Sequence, residues 1–99
     1  MIRIKQEATY SDEDWWDWSV ELDAPKQMLD RVKFVEYELH PKFPRPIRRI
    51  TDRDSSFRLS TGGWGTFPIR ARVVFEDGRE EQVEHELELH YPDGTMTTR

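Results

Sequence analysis

The feature that most constrains the fold is an alternation of apolar and polar residues with a period of two. Every second residue is apolar in residues 67–75, and the same pattern returns in residues 83–89. The pair Asp77-Gly78 between these segments is a strong signal for a tight hairpin turn. Because successive side chains of a β-strand point to opposite faces, the alternation predicts two half-buried strands that pair antiparallel.

The rest of the chain carries the same alternation in shorter segments, and no segment has a sustained helical periodicity. Further strands are predicted at residues 2–6, 16–22, 35–39, 47–51 and 56–60. The adjacent apolar residues Phe34 and Val35 break the alternation, which predicts a bulge or a change of register at the start of the strand that follows. Residues 24–31 are expected to form a turn or a short helical cap.

Short strands with turns at regular intervals, and no helices between them, predict an all-β fold. The expected architecture is an immunoglobulin-like β-sandwich of about seven to eight antiparallel strands. A chain of 99 residues holds one domain, which we assign to residues 1–90, followed by a loose C-terminal tail at residues 91–99. The sequence contains no cysteine, so a core of few but large aromatic side chains has to stabilise the sandwich.

The sequence gives no indication of catalysis or of metal binding. We recognise no Ser/His/Asp arrangement and no pair of carboxylates facing each other across a cleft, so we expect neither an enzyme nor a bound cofactor. The three histidines lie on separate segments, and the acidic residues at positions 12–14 lack the spacing of a calcium loop. His85 occupies an inward position of its strand, which indicates a buried, hydrogen-bonded imidazole.

Hydropathy and charge exclude two further classes of partner. No segment approaches the roughly 20 consecutive apolar residues of a membrane span, and we expect a cytoplasmic protein without membrane contact. Residues 40–58 hold six basic and two acidic residues, a net charge of +4, whereas residues 76–93 hold one basic and eight acidic residues, a net charge of −7. Because the whole chain has a pI near 5.2, nucleic acid is not an expected partner.

Two short motifs carry the functional information, since each places aromatic residues on a predicted loop beside a strand. The motifs read Leu39-His40-Pro41-Lys42-Phe43 and Gly62-Gly63-Trp64-Gly65-Thr66-Phe67. They resemble, in order and spacing, the signature pair of the YEATS domain family. The resemblance extends over residues 2–89, and the short connections and the tryptophan-rich residues 14–18 are most similar to the prokaryotic branch of that family.

The resemblance implies a reader of acylated lysine on a protein partner. In such readers the acyl-lysine side chain enters a slot between the two loops, where a flat, neutral amide stacks on aromatic rings and a hydrated ammonium is disfavoured. Phe43, Trp64 and Phe67 would be the rings, His40 a wall, and the backbone N–H of Trp64 the donor to the acyl oxygen. The candidate ligand-binding residues are therefore His40, Lys42, Phe43, Gly63, Trp64, Gly65 and Phe67.

Lys42 departs from the family pattern, because readers carry a hydroxyl residue there that accepts the amide N–H of the ligand. An ammonium group has no acceptor, and an unpaired N–H in a desolvated slot costs about 1 to 3 kcal/mol. We favour impaired binding of acyl-lysine as the consequence. Two alternatives are that a water molecule takes the N–H, or that the ammonium attracts a carboxylate and an acidic acyl group or another anion binds better.

The aromatic residues also have structural interpretations. Trp64 between glycines fits a core plug at a tight turn, and Phe67 fits a core residue at the rim. Trp15, Trp16 and Trp18 together suggest a sugar-binding platform, although the alternation assigns Trp16 and Trp18 to the core and Trp15 to an edge.

A second functional hypothesis uses the surface of the sandwich rather than its loops. An immunoglobulin-like interaction module would dock a protein through the basic residues 40–58, within a bacterial signalling or stress-response assembly, without binding acyl-lysine.

Overall fold

The structure, a computed structural model, describes residues 2–97 and contains seven strands in two antiparallel sheets. The strands are β1 (Arg3–Asp12), β2 (Trp15–Asp23), β3 (Val32–Glu38), β4 (Ile47–Ile50), β5 (Leu59–Gly63), β6 (Pro68–Phe75) and β7 (Glu80–Glu86). One sheet has the order β1-β2-β5 and the other the order β4-β3-β6-β7. This arrangement confirms the all-β, immunoglobulin-like sandwich predicted from the alternation. A single helical turn, α1 (Lys26–Leu29), forms the predicted cap.

The core lies between the sheets and consists of the inward side chains that the alternation predicts. On β2 the side chains of Trp16, Trp18, Val20 and Leu22 are buried, and they face a second layer from β3 and β6. Tyr37 of β3 is fully buried, and its hydroxyl donates to the backbone oxygen of Phe57 at 2.7 Å. Burial raises the pKa of Tyr37 far above its ordinary range, so the phenol remains a neutral donor.

Two sequence-level details of strand pairing are found in the structure. The register between β3 and β6 shifts between Val32 and Phe34, beside the break in the alternation. The hairpin from β6 to β7 turns through Gly78, which has a φ of 90° that glycine adopts without steric cost.

Several strand boundaries differ from the prediction. β3 begins at Val32 rather than at residue 35, and β7 covers Glu80–Glu86 rather than residues 83–89. Two further differences have a clear physical cause. β1 runs to Asp12 rather than to residue 6, because its polar second half pairs with β2 up to the Tyr10–Trp16 pair and beyond. β5 begins at Leu59 rather than at residue 56, because Ser56 and Phe57 have φ values of 60° and 59°. Such left-handed backbone is incompatible with a strand.

Residues 91–97 contact the sandwich through hydrogen bonds and one aromatic ring. The backbone N–H of Thr97 donates to the oxygen of Leu89 at 3.0 Å, and that of Tyr91 donates to the oxygen of Thr95 at 2.8 Å. The ring of Tyr91 also packs on Trp16 at 5.0 Å between centroids. Hydrogen bonds and aromatic contacts therefore fix the segment; residues 98 and 99 lie outside the described range.

Gln6 joins the two sheets at one edge of the sandwich. Its amide nitrogen donates to the backbone oxygen of Glu88 at 2.7 Å, and its amide oxygen accepts from the backbone N–H of Glu88 at 3.0 Å. The same oxygen lies 2.6 Å from Nε2 of His85, which is half-buried. Burial lowers the pKa of His85, and the hydrogen-bonded imidazole predicted from its inward position is found.

Charged side chains cover the outer face of the four-stranded sheet. One carboxylate oxygen of Glu36 accepts a hydrogen bond from Arg49 at 2.8 Å, and the other oxygen accepts one from Arg72. Arg72 also pairs with Glu80 at 3.1 Å, and the guanidinium of Arg49 lies 4.1 Å from the ring centroid of Phe34. The hydrogen bonds from Arg72 and Arg49 hold the pKa of Glu36 below its ordinary value.

Candidate functional site

The two aromatic motifs meet at one end of the sandwich, around a pocket of about 330 Å³. All seven residues that the sequence nominated line this pocket. Four further residues, Trp15, Pro44, Gly62 and Thr66, complete the lining. No helix among residues 2–97 is long and apolar enough to cross a membrane, and the same residues contain no cluster of acidic or histidine side chains suited to a metal ion.

The first loop, residues 39–46, is closed by backbone hydrogen bonds and by the imidazole of His40. The N–H of Leu39 donates to the oxygen of Pro46 at 2.7 Å, and the N–H of Phe43 donates to the oxygen of His40 at 2.9 Å. The N–H of Lys42 donates to Nδ1 of His40 at 3.1 Å, so the ring proton of a neutral imidazole lies on Nε2. His40 thus shapes the turn that carries Phe43.

Arg48 of β4 holds the same loop from its far end. Its guanidinium donates to the backbone oxygens of Arg45 at 2.7 Å and of Pro44 at 2.9 Å. Arg45 has a φ of 50°, a left-handed conformation that non-glycine residues seldom adopt. The side chain of Arg48 therefore fixes a strained segment directly after Phe43.

The inner wall of the pocket is a cluster of packed rings. Phe43 and Phe67 are half-buried and lie 5.5 Å apart between centroids. Both rings rest on the buried Trp18, at 6.4 Å for Phe43 and 6.0 Å for Phe67. His40 meets the edge of Phe67 at 6.1 Å. Phe67 therefore packs on the core and lines the pocket at the same time.

Trp64 is the exposed ring of the site, which excludes its interpretation as a core plug. It follows the end of β5, and 52% of its surface remains accessible to solvent. Trp64 takes part in none of the aromatic contacts found within residues 2–97. The rings of Trp64 and Phe43 have therefore not collapsed on each other, and the space between the two loops stays open.

Lys42 lies at the rim with its side chain exposed, and it lines the pocket. Its ammonium forms no ion pair within the described part of the chain. The site therefore presents an uncompensated positive charge beside the aromatic wall.

Most of the other positive charges in residues 40–58 are engaged elsewhere. Arg49 pairs with Glu36 at 2.8 Å, Arg53 lies 3.6 Å from Glu76, and Arg58 pairs with Glu7 at 3.1 Å. Arg48 is bound to backbone oxygens. The net charge of +4 in this segment overstates the positive field that a docking partner would meet.

Trp15 is the pocket residue that sequence reasoning assigned to another place. It was expected to pack at an edge, yet it lines the pocket with 44% of its surface exposed. Trp16 and Trp18 are buried at 1% and 2% exposure, so the three indoles form no common sugar-binding platform. The signal for Trp15 lay in its outward position in the alternation, one residue before the inward Trp16.

Comparison with known proteins assigns the chain to a family. The model of the prokaryotic YEATS domain matches residues 16–88, a range that includes both loops of the pocket. The chain belongs to the prokaryotic YEATS family. YEATS domains are binding modules and not enzymes, as the sequence indicated.

Two curated eukaryotic proteins are similar to this YEATS domain. Protein AF-9 homolog of Saccharomyces cerevisiae is 37% identical over 62 residues, which cover 60% of this chain and 26% of the relative. Transcription initiation factor TFIID subunit 14 of Schizosaccharomyces pombe is 31% identical over 87 residues, 76% of this chain and 34% of the relative. The chain thus spans between a quarter and about a third of the length of these relatives.

Solved YEATS structures have the same fold. The Yaf9 YEATS domain bound to H3K27ac superposes with a TM-score of 0.69 at 22% identity, covering 98% of this chain and 79% of that chain. The Yaf9 YEATS domain recognising an H3K122suc peptide superposes with a TM-score of 0.67 at 25% identity, covering 90% of this chain and 69% of that one.

Proposed function

We propose that this YEATS domain binds an acylated lysine side chain of a protein partner between its two aromatic loops. The acyl amide would stack between the rings of Phe43 and Trp64, with Phe67 and His40 as the inner wall and the backbone N–H of Trp64 as donor to the acyl oxygen. Gly63 and Gly65 flank Trp64 and line the pocket.

One observation carries the proposal. All seven candidate residues predicted from the two motifs line a single pocket of about 330 Å³. A volume of about 300 Å³ is enough to bury a small organic group. One side of the pocket is held by packed rings and the other by the exposed Trp64. A flat amide can enter such a space without displacing the core.

Lys42 determines which acyl groups fit. Its ammonium cannot accept the amide N–H of the ligand, so a neutral acyl group leaves this N–H to water at the open rim. The same ammonium is free to pair with a carboxylate on the acyl chain. The similar Yaf9 domain recognises an H3K122suc peptide, which carries a succinyl group. We therefore include succinyl-lysine beside acetyl-lysine and crotonyl-lysine as a candidate ligand.

Peptide titrations followed by NMR test the proposal. We expect acetyl-, crotonyl- or succinyl-lysine peptides to shift the backbone signals of His40, Phe43, Trp64 and Phe67 at up to millimolar concentration, and Trp64→Ala to abolish the shifts. Met96→Ala is the matched control, because Met96 is also 52% exposed but lies outside the pocket. If none of the three peptides shifts these signals, the reader function is wrong.

The interaction-module hypothesis has less support, because the arginines of its docking segment are mostly paired within the molecule. A partner captured through these residues would be lost on charge reversal at Arg48 and Arg49 and retained by Trp64→Ala. The division of the chain at residue 90, the bacterial source and the cytoplasmic location remain predictions from the sequence.

A further inference from the structure

β7 is the last strand of the four-stranded sheet, so no strand within residues 2–97 pairs with its outer edge. Two hydrogen bonds show which of its backbone groups face this edge. The N–H of Phe75 donates to the oxygen of Arg79 at 2.9 Å, and the N–H of Leu87 donates to the oxygen of Phe67 at 3.2 Å. Each bond joins two residues that lie directly opposite each other in the register of β6 and β7. Both ends of this ladder are therefore hydrogen-bonded pairs.

Hydrogen-bonded and non-hydrogen-bonded pairs alternate along an antiparallel ladder. The register of β6 and β7 is continuous, so counting inward from either end gives the same assignment. Residues 81, 83 and 85 face β6 with their backbone groups. Residues 80, 82, 84 and 86 turn their N–H and C=O groups to the free edge. Pro68 agrees with this assignment, since it has no N–H to donate to Glu86 opposite.

Gln6 closes the same edge one step farther on, at Glu88. Its side-chain amide donates to the backbone oxygen of Glu88 at 2.7 Å and accepts from the backbone N–H of Glu88 at 3.0 Å. A neighbouring strand would make these two hydrogen bonds with its own backbone. Among residues 2–97 no comparable group reaches the outward backbone of residues 80–86. These residues are exposed or half-buried, so the edge is open to a partner.

The solvent face beside this edge is acidic. Residues 80–88 include five glutamates and no lysine or arginine. Arg72 and Arg70 of β6 pair with Glu80 at 3.1 Å and with Glu84 at 3.2 Å, but half or more of each glutamate side chain remains exposed. Glu86 has no ion pair within the described part of the chain. The edge therefore attracts a cationic segment and repels an acidic one.

The inner face of the edge offers apolar contacts instead. Val83 is half-buried and packs against the core. A cavity of about 370 Å³ lies at the start of the edge, where Glu80 and Glu81 line it together with Met28 and Phe75. Side chains of a strand alternate between its two faces. A strand added here would therefore meet glutamates with one set of side chains and apolar surface with the other.

We propose that the free edge of β7 binds an extended segment of a partner protein in which lysine or arginine alternates with apolar residues. The segment would join the sheet as a fifth strand, with its backbone on the N–H and C=O groups of residues 80–86. Its basic side chains would pair with the glutamates, and its apolar side chains would cover Val83. This site is separate from the two-loop pocket and does not require acyl-lysine.

Charge disfavours a second copy of β7 as the occupant. Two β7 edges side by side would set glutamate against glutamate, and like charges directly opposite destabilise a strand pair. Charged side chains along an edge also deter purely apolar strands. A basic strand removes the repulsion, so the side chains that oppose self-pairing of β7 also select its partner.

Amide hydrogen exchange followed by NMR tests the added strand. The probe is a synthetic peptide of seven residues, the length of β7, in which lysine alternates with valine. At saturating peptide we expect exchange of the N–H groups of Gln82 and Glu84 to slow about tenfold or more, while that of Val83, already in the ladder, changes little. A peptide with glutamate in place of lysine should give no protection, and raised salt should weaken binding of the lysine peptide.

Backbone N-methylation of the peptide checks that the contact is a strand pairing. Antiparallel addition uses the N–H groups of the lysines, which lie opposite residues 80, 82, 84 and 86, whereas parallel addition uses those of the valines. We therefore expect N-methyl groups on one set of residues to abolish binding and N-methyl groups on the other set to be tolerated. Loss of binding with both sets, or with neither, overturns the added strand.

Variants at Gln82 test the same groups from the side of the protein. Gln82→Pro removes one outward N–H, and an edge strand tolerates proline at such a position. We expect peptide binding to fall about fivefold or more. Gln82→Ala retains the N–H and should retain binding. Thermal unfolding shows whether both variants are folded; if the proline variant is not, the two N-methylated peptides decide.

The possible outcomes separate this site from the reader function. Trp64→Ala should bind the lysine–valine peptide like wild type, because Trp64 lies in the two-loop pocket and not on β7. Peptide binding that leaves exchange at Gln82 and Glu84 unchanged reflects charge attraction alone and overturns the proposal. Exchange that is already slow there without peptide, in a protein of dimeric size, means that a second copy covers the edge and also overturns it. Neither result bears on the acyl-lysine titrations.

Discussion

Lys42 is the residue that distinguishes this site within its family motif. The other motif positions supply rings or close backbone approach, whereas Lys42 replaces a hydrogen-bond acceptor by a donor with a full positive charge. The side chain is exposed at the rim rather than inserted between the rings. The side chain of Lys42 therefore leaves the pocket open, and we expect it to act on the choice of acyl group rather than on access.

Replacement of Lys42 by serine should reverse that choice. The serine hydroxyl can accept the amide N–H in place of a water molecule at the rim, and such a net hydrogen bond is worth about 1 kcal/mol, or about fivefold in affinity. We expect Lys42→Ser to bind crotonyl-lysine peptides more tightly and succinyl-lysine peptides less tightly in parallel titrations. Lys33→Ser, at an exposed position of β3, should change neither affinity. An unchanged ratio of the two affinities in Lys42→Ser would contradict this role.

Single residues also show what the sequence could not predict about the site. Trp64 and Phe43 were recognisable because a local motif contains them. Trp15 was not recognisable as a pocket residue, because its place depends on β5, a strand more than 40 positions later in the sequence. It also depends on the absence of a side chain at Gly62. The alternation shows that Trp15 points outward, but contacts between distant strands leave no local pattern that places it at the pocket.

Among the elements, the first loop depends on a side chain from the strand that follows it. Arg48 of β4 donates to two backbone oxygens of the segment that carries Pro44 and Arg45. These two carbonyl groups lie outside the β-strands and accept no hydrogen bond from a neighbouring strand within residues 2–97. The guanidinium of Arg48 therefore supplies the hydrogen bonds that they would otherwise lack. These two hydrogen bonds fasten the segment directly after Phe43, which lines the pocket.

Removal of this guanidinium should loosen the loop without unfolding the sandwich. We expect Arg48→Ala to weaken binding of the preferred acyl peptide about threefold to tenfold, a cost of about 1 kcal/mol in positioning Phe43. Amide hydrogen exchange should rise in residues 40–46 and stay unchanged in β6. The neighbouring variant Arg49→Ala, which breaks a contact to Glu36 instead, should leave exchange in the loop as it is. Equal amide hydrogen exchange of residues 40–46 in wild type and Arg48→Ala would contradict the proposed role of Arg48 in holding the loop.

The prediction of the elements succeeded where local pattern and tertiary structure agree. β6 and its hairpin follow from alternation and Gly78, since both signals are local. The start of β5 was placed three residues early, because the left-handed backbone at Ser56 and Phe57 is not encoded by residue types that favour it. The length of β1 was underestimated because polar residues extend a strand when a partner strand is available.

At the scale of the whole molecule, charge pairing spans the four-stranded sheet. Glu36 lies between Arg49 and Arg72, and Arg72 continues to Glu80 on β7. All four strands of this sheet are thus linked on their solvent face, beside the hydrogen bonds of the ladder. The low pKa of Glu36 means that the folded state favours its ionised form more than the unfolded chain does.

The stability of the fold should therefore fall in acid partly through Glu36. Its contribution is complete above its ordinary pKa of 4.5 and is lost as the pH drops through the lower pKa of the folded state. We expect Glu36→Gln to lower the free energy of unfolding at neutral pH by about 1 kcal/mol, and this difference to shrink toward pH 3 in urea titrations. Glu81→Gln should cost little at either pH. A difference that stays constant with pH would exclude the ion pairs as its cause.

The overall architecture was the most predictable level of all. Seven alternating segments without helices leave few arrangements other than two packed sheets, so the sandwich followed from composition and period. The contacts of residues 91–97 could not be predicted at this scale. The packing of this segment depends on Tyr91 and on backbone hydrogen bonds to Leu89, and short polar sequences give no sign of such contacts.

The buried indole of Trp18 gives the molecule an intrinsic spectroscopic reporter. Its Nε1 has no hydrogen-bond partner within residues 2–97, and its ring meets that of Phe43 in an edge-type contact at 6.4 Å between centroids. The N–H of Trp16, by contrast, donates to the oxygen of His90 at 2.8 Å, and Trp15 and Trp64 face solvent. The indole protons of Trp16 and Trp18 are therefore expected to resonate apart from those of the two exposed rings. Because the ring of Trp18 contacts Phe43, its proton should report ligand binding at the pocket without a label on the ligand.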